Sequence, residues 1–176
     1  MAGRGGGHVE SALVAPYGDV KASFWGTGDH GVQPPLVVGA IEEAEGLLEV
    51  RLPPALLDLL RVQNGGPVAD AWSAFPTDQP NSWSPTHVPL AEVFGIGRRE
   101  GALSLLDTPY LVQEWNLPSP TVLLSGDGHY WIALDYRASG RQGEPSVAWI
   151  DADLETELWL AADFRSFVQR LVPAAS

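Results

Sequence analysis

Several side chains in this sequence could do chemistry, and each has a simpler reading beside it. Ser125 is a potential nucleophile, yet Leu124-Ser125-Gly126 is not a G-x-S-x-G elbow and leads into a hairpin turn instead of a helix. His8, His30, His87 and His129 could ligate a metal, but no two have the helical spacing of a ligand pair. Asp127, His129 and Asp135 crowd one short stretch. Asp127 is explained by a turn, and six residues of strand at ~3.3 Å each put His129 about 20 Å from Asp135, too far to share one ion. No metal and no cofactor is expected. No phosphate-cradling glycine loop is present, and the chain has no cysteine, which excludes thiol chemistry and disulfides. What remains open is a pair of carboxylates for acid–base work, with Glu114, Asp127, Asp135, Glu144 and Asp151 as candidates. No catalytic residue is assigned.

The aromatic residues point to binding instead. Seven tryptophans is a high density, and tryptophan is enriched where partners dock. Trp131, Trp149 and Trp159 fall on expected strands and read as core. Trp83 lies in the polar, proline-rich PNSWSPTH segment and is the leading contact candidate, followed by Trp72 and Phe75. Glu114, His129 and Glu144 are polar candidates for the same role.

These residues need elements to hold them. Proline-opened helices are expected over Pro35 to Leu48 and from Pro53 or Pro54, the second ending in a left-handed cap at Asn64-Gly65. Ala71 to Phe75 reads as a short strand, Pro89 to Phe94 as one helical turn and Thr108 to Asn116 as a short helix. A hairpin pairs Thr121–Ser125 with Tyr130–Tyr136 through a two-residue Asp127-Gly128 turn, placing Ser125 opposite Tyr130 and Leu123 opposite Ile132. Both faces are apolar, so this hairpin is central and covered on both sides. Strands at Ser146–Asp151 and near Glu157–Leu160 follow, then a helix capped by Asp163 with Phe164, Phe167, Val168 and Leu171 on one stripe. The expected fold is α+β: a single domain with an antiparallel sheet of about four to six strands, packed by an N-terminal helix pair and a C-terminal helix. Residues 1–20 read as a flexible, glycine-rich lead and 21–173 as the domain.

Ten Lys+Arg against 22 Asp+Glu give a net charge of −12. That balance disfavours direct contact with nucleic acid or anionic lipid and favours a basic protein partner. No stretch approaches the ~20 apolar residues of a membrane span and no secretory leader is evident, so a cytoplasmic location is expected.

The motifs also line up together. Ile41-x-x-x-Glu45-x-x-Leu48, Leu52-Pro53 and Asn64-Gly65-Gly66 are followed by Gly95-Ile96-Gly97, Glu114-Trp115 with Pro118, the GDGH…LDYR run from Gly126 to Arg137, and Glu144-Pro145. In this set, which spans roughly Phe24 to Val172, the chain resembles the Smi/Knr-type SUKH superfamily. The resemblance implies an α+β domain without enzymatic activity, with Glu45, Pro53, Asn64, Gly65, Gly66, Trp115, Asp127, Gly128, Asp135, Arg137 and Pro145 as family-motif residues. Bacterial members look like immunity proteins that neutralise a cognate polymorphic toxin, nucleases among them, and fungal relatives are regulators of cell-wall assembly. The resemblance thus implies a non-enzymatic immunity protein whose acidic surface meets a basic toxin domain. The alternatives are a regulatory scaffold of the same fold with an endogenous partner, and a small hydrolase with paired carboxylates.

Overall fold

The computed structural model describes residues 14–174. Its centre is a four-stranded antiparallel meander in the order β5-β6-β7-β8: β5 (Thr121–Gly126), β6 (Tyr130–Asp135), β7 (Ser146–Asp151) and β8 (Thr156–Ala161). β5 is buried throughout and β6 in all but its last residue, which matches their two apolar faces. Two small antiparallel pairs flank the meander. β1 (Gly66–Pro67) pairs with β4 (Glu92–Val93), and β2 (Ala74–Pro76) with β3 (His87–Pro89). The chain is a single α+β domain.

The helices follow from capping and periodicity. α2 (Val38–Leu48) begins three residues later than the Pro34-Pro35 signal suggests and buries Ile41, Ala44 and Leu48. α3 (Pro54–Val62) opens on its proline and buries Leu56, Leu57, Leu59 and Leu60. α4 (Thr108–Trp115) ends on Asn116 in the left-handed conformation. α5 (Phe164–Gln169) is capped by Asp163, whose Oδ1 accepts the Ser166 amide at 2.7 Å.

Four expectations need correction. α1 (Tyr17–Ala22) buries Tyr17 and Val20 against the core and lies beside α5, so the domain begins inside the segment expected to be flexible; residues 1–13 lie outside the described residues. Pro89 to Phe94 is not a helical turn, because Pro89 pairs with Ala74 and Val93 with Gly66. The second helix does not end in a left-handed cap at Asn64-Gly65: it stops at Val62 with Gln63 extended, which frees Asn64 for another task. The hairpin register is also shifted, by one residue at Leu123 and by two at Ser125. Leu123 faces Ala133, Ser125 faces Ile132 and Gly126 faces Trp131, with an irregularity at Leu124. Four residues, Asp127–Tyr130, therefore separate the last β5–β6 pair instead of two.

Asn64 ties the first half of the chain together. It is 3 % exposed, and its Nδ2 donates to the carbonyls of Pro34 (2.7 Å) and Ile96 (2.8 Å), while its Oδ1 accepts the Ile96 amide at 2.8 Å. Gly95 is required beside it, since a Cβ there would sit 2.2 Å from the Asn64 carbonyl oxygen. The sequence joins these segments only through its Asn-Gly-Gly and Gly-Ile-Gly motifs, which meet here.

Candidate binding surface

The hairpin turn is built by Asp127, whose Oδ1 accepts the His129 amide at 2.9 Å. Gly128 is at φ 103° and backs onto Trp115, where a Cβ would meet the indole at 3.1 Å. The His129 carbonyl accepts the Ala152 amide at 2.9 Å, and its ring nitrogen lies 3.0 Å from an Asp153 oxygen, so the β5–β6 and β7–β8 turns are joined. Asp135 sits at the other end of β6, apart from His129.

Strand alternation separates two faces. Tyr130, Trp149 and Leu158 point one way, and Ile150, Glu157 and Trp159 the other. On the first face Tyr130 stacks on Trp149 at 4.6 Å, and Trp83 meets Tyr130 edge-on at 5.8 Å. Asn81 shapes the Trp83 loop by accepting the amides of Trp83 (2.7 Å) and Ser84 (3.0 Å) and donating to the His87 carbonyl. Trp83 is thereby both a loop anchor and, at 56 % exposure, a surface residue. Burial, with the Asp127 and Glu92 charges behind it, pushes the Tyr130 hydroxyl up to about 12.

On the second face, a cleft of about 440 Å³ is lined by Trp115–Pro118, Arg137, Ile150–Ala152 and Glu155–Glu157. The Arg137 guanidinium binds Asp135 at 2.9 Å and also Glu157. Burial works to raise the Asp135 pKa, but the hydrogen bonds and charge of Arg137 outweigh it and hold the carboxyl below its ordinary range. Bonds from Asp135 and Glu157 push Arg137 further up, so it stays charged. Such an arrangement keeps Asp135 ionised and paired, which is unsuited to a proton donor. Its folding contribution is full above the ordinary value of 3.8 and fades as pH falls through the lowered one. Arg137→Ala is expected to cost about 1 kcal/mol at neutral pH, discounted because the pair is partly exposed. The cost should shrink as pH falls below the ordinary value of 3.8 and through the lowered one. Urea unfolding at neutral pH and at pH ~3 checks this; an equal cost at both would rule out the ion pair as its source.

Trp159 is the residue that sequence reasoning misplaced. It is 66 % exposed, not core, and stands beside Glu157 on the open side of β8. The signal was available, because Glu157 lies two positions away on the same face and marks that face as polar. Leu154, in the β7–β8 turn, was missed altogether and is also exposed, while Trp115, named only as a motif residue, is 43 % exposed. The opposite correction applies to Phe75. It is buried, stacked on Phe167 at 4.9 Å and covered by Arg170, so it offers no contact surface. Trp72 is half-buried, with its Nε1 donating to Ser23 Oγ at 3.2 Å.

The other motif residues serve the frame. Glu45 Oε2 accepts the Leu52 amide at 2.8 Å, fixing the entry to α3. Pro53 and Pro54 line one crevice with Glu144 and the buried Pro145, so the Leu-Pro and Glu-Pro motifs face each other. The Tyr136 hydroxyl closes that region by donating to the Arg51 carbonyl at 2.7 Å. Glu144 is raised by burial and by Asp163, against the pull of Arg51. Its neighbour Asp163 is already committed to capping α5. Glu114 is exposed next to Trp115. The structure thus gathers Glu114, Trp115, Asp127, Gly128 and His129 at the hairpin tips, sets Trp83 on the other side of the sheet, and leaves Glu144 at a separate crevice. Among the described residues no group of three or more His, Asp and Glu is arranged to hold a metal ion, and no helix is long and apolar enough to cross a membrane.

Comparison with curated proteins returns no match. Residues 37–170 match the model of the SMI1 / KNR4 family (SUKH-1), beginning one residue before α2 and ending just beyond α5. That span exceeds half the chain and contains Asn64 with its partner Ile96, the hairpin and the Glu-Pro crevice, and the protein belongs to the SMI1 / KNR4 family.

Proposed function

We propose that the protein is a non-enzymatic, cytoplasmic immunity protein that binds and neutralises a cognate toxin domain of basic surface, such as a nuclease. The family match over residues 37–170 carries this reading, because membership of this family is consistent with an immunity protein. The net charge of −12 supports a basic partner, since opposite fields steer encounter and complement a cationic cleft. Exposed Trp83, Trp115 and Trp159 supply the large apolar anchors that a tight protein interface needs.

Co-expression with the product of the neighbouring gene tests the reading. Growth is expected to be rescued and the two proteins to co-purify. Affinity is expected to fall about tenfold or more between low and physiological ionic strength, as steered association between charged surfaces does. No rescue and no complex would sink the immunity reading for that pair, and salt-independent binding would remove the electrostatic part.

A further inference from the structure

The two edges of the meander are treated differently. At β5 the Phe94 amide donates to the Leu124 carbonyl at 2.7 Å, and the Thr108 hydroxyl accepts the Leu123 amide at 3.1 Å. That edge is capped. β8 is the last strand of the sheet and pairs with β7 alone. Among the described residues, no backbone or side-chain group outside the sheet bonds to the main chain of Thr156–Leu160.

Beside this open edge runs a trough of about 460 Å³. It is lined by Glu157–Leu160, by Pro76–Gln79 and by Arg170. Consecutive residues of β8 line it, both those pointing up and those pointing down, so the trough follows the strand's edge and not one of its faces. An unpaired edge is a template for another strand unless it is blunted by lysine, proline or a covering element. β8 (TELWLA) contains neither lysine nor proline; its blunting is limited to the charge of Glu157 and an irregularity in the pairing opposite Val147 and Ala148. Trp159 stands exposed at its rim, and Leu154 at the adjoining turn.

We propose that β8 is the docking edge for the protein partner, which adds an extended, arginine- or lysine-bearing segment as a fifth strand. This rests on the reading that the protein acts by binding another protein. Charge selects the occupant. Glu155, Glu157 and Asp78 stand around the edge and trough against Arg170 and against Arg137, which pairs with Glu157, so the local balance stays acidic and a basic segment gains where an acidic one is repelled. A second copy of this chain is disfavoured by the same argument, because each copy carries −12 and edge-to-edge pairing would bring Glu157-bearing strands together. Main-chain bonds supply affinity in such an addition, and the alternating side chains supply choice of partner. Trp159, large, rigid and beside the new strand, is its expected anchor.

Two measurements decide the matter. The first is amide hydrogen exchange of the protein alone and in complex with the neighbouring gene's product. Slowed exchange within Thr156–Leu160 is expected, together with a loss of affinity of about tenfold or more for Trp159→Ala. A complex whose protection lies elsewhere, and which Trp159→Ala leaves intact, overturns this surface but not the immunity reading. The second needs no natural partner. The peptide acetyl-Arg-Val-Arg-Val-Arg-amide is titrated against the full chain beside acetyl-Arg-Pro-Arg-Pro-Arg-amide, which has equal charge but lacks two N–H donors. The valine peptide is expected to bind at least about tenfold more tightly and to shift the Trp159 signal. Equal binding means charge alone, and absence of binding means the edge is closed; either overturns the proposal. Self-association through β8 in the free protein would replace the stated occupant with a second copy and overturn it equally.

Discussion

Asn64→Ala is expected to lower stability by about 4 kcal/mol, the sum of three interior hydrogen bonds lost. The substitution leaves the Pro34 and Ile96 carbonyls and the Ile96 amide without the partner that now holds them at 2.7–2.8 Å. Each stranded group costs roughly 1–3 kcal/mol when buried, and Asn64 is almost fully buried. The carbonyl of the same residue also receives the Gln33 amide at 2.9 Å, so a local shift propagates to the strand-like entry before α2. For a domain of this size the expected fall in melting temperature is about 8–16 °C. Differential scanning calorimetry measures it directly. A loss under ~1 kcal/mol would mean that the segments are held by packing and that the side-chain bonds add little.

The second large effect lies in the sheet. Trp149 is 1 % exposed and carries Tyr130 stacked on one side, with Trp83 beyond it. Trp149→Ala removes an indole from a closed site and is expected to cost about 4 kcal/mol through lost burial and the cavity left behind. The indole Nε1 has no hydrogen-bond partner, so its removal carries no polar penalty. That makes Trp149→Phe the informative control. It keeps an aromatic face for Tyr130 but discards the unpaired N–H together with the rest of the pyrrole ring, and its cost is expected to be about 1–2 kcal/mol through the smaller cavity left. Urea titrations of the two variants separate the outcomes. Equal losses for Ala and Phe would falsify the view that ring burial, and not a polar contact, holds this position.

Much of this architecture was legible in the residues. Ser146–Asp151 forms the expected strand because its apolar run is buried on both sides, and Asp163 caps α5 as its position before the Phe164–Leu171 stripe predicts. The register of the hairpin was not legible. Asp127-Gly128 signals a tight turn, but Asp127 spends its side chain on the His129 amide, and the strands close around a wider loop. Asn64 was misread for a different reason. Its neighbours suggest a helix cap, while its partners lie about 30 residues away on either side, beyond the reach of local pattern. The contact surface was legible only in part. Trp83 and Trp115 stand where a partner can reach them, but Phe75 and Trp159 exchanged places with respect to the core. An aromatic residue on a strand is ambiguous until its neighbour two positions away is considered, and here that neighbour is Glu157.

The pairing of α1 with α5 has a consequence for how the molecule opens. The Ala15 amide donates to the Gln169 carbonyl at 2.8 Å, the Gln169 side chain returns a bond to the Ala15 carbonyl, and the Arg165 guanidinium lies over the Tyr17 ring at 5.1 Å. The beginning and the end of the domain therefore brace each other against local opening. Releasing Ala15 removes two bonds from the end of α5, and the clasp between them makes a ring of the chain that it encloses.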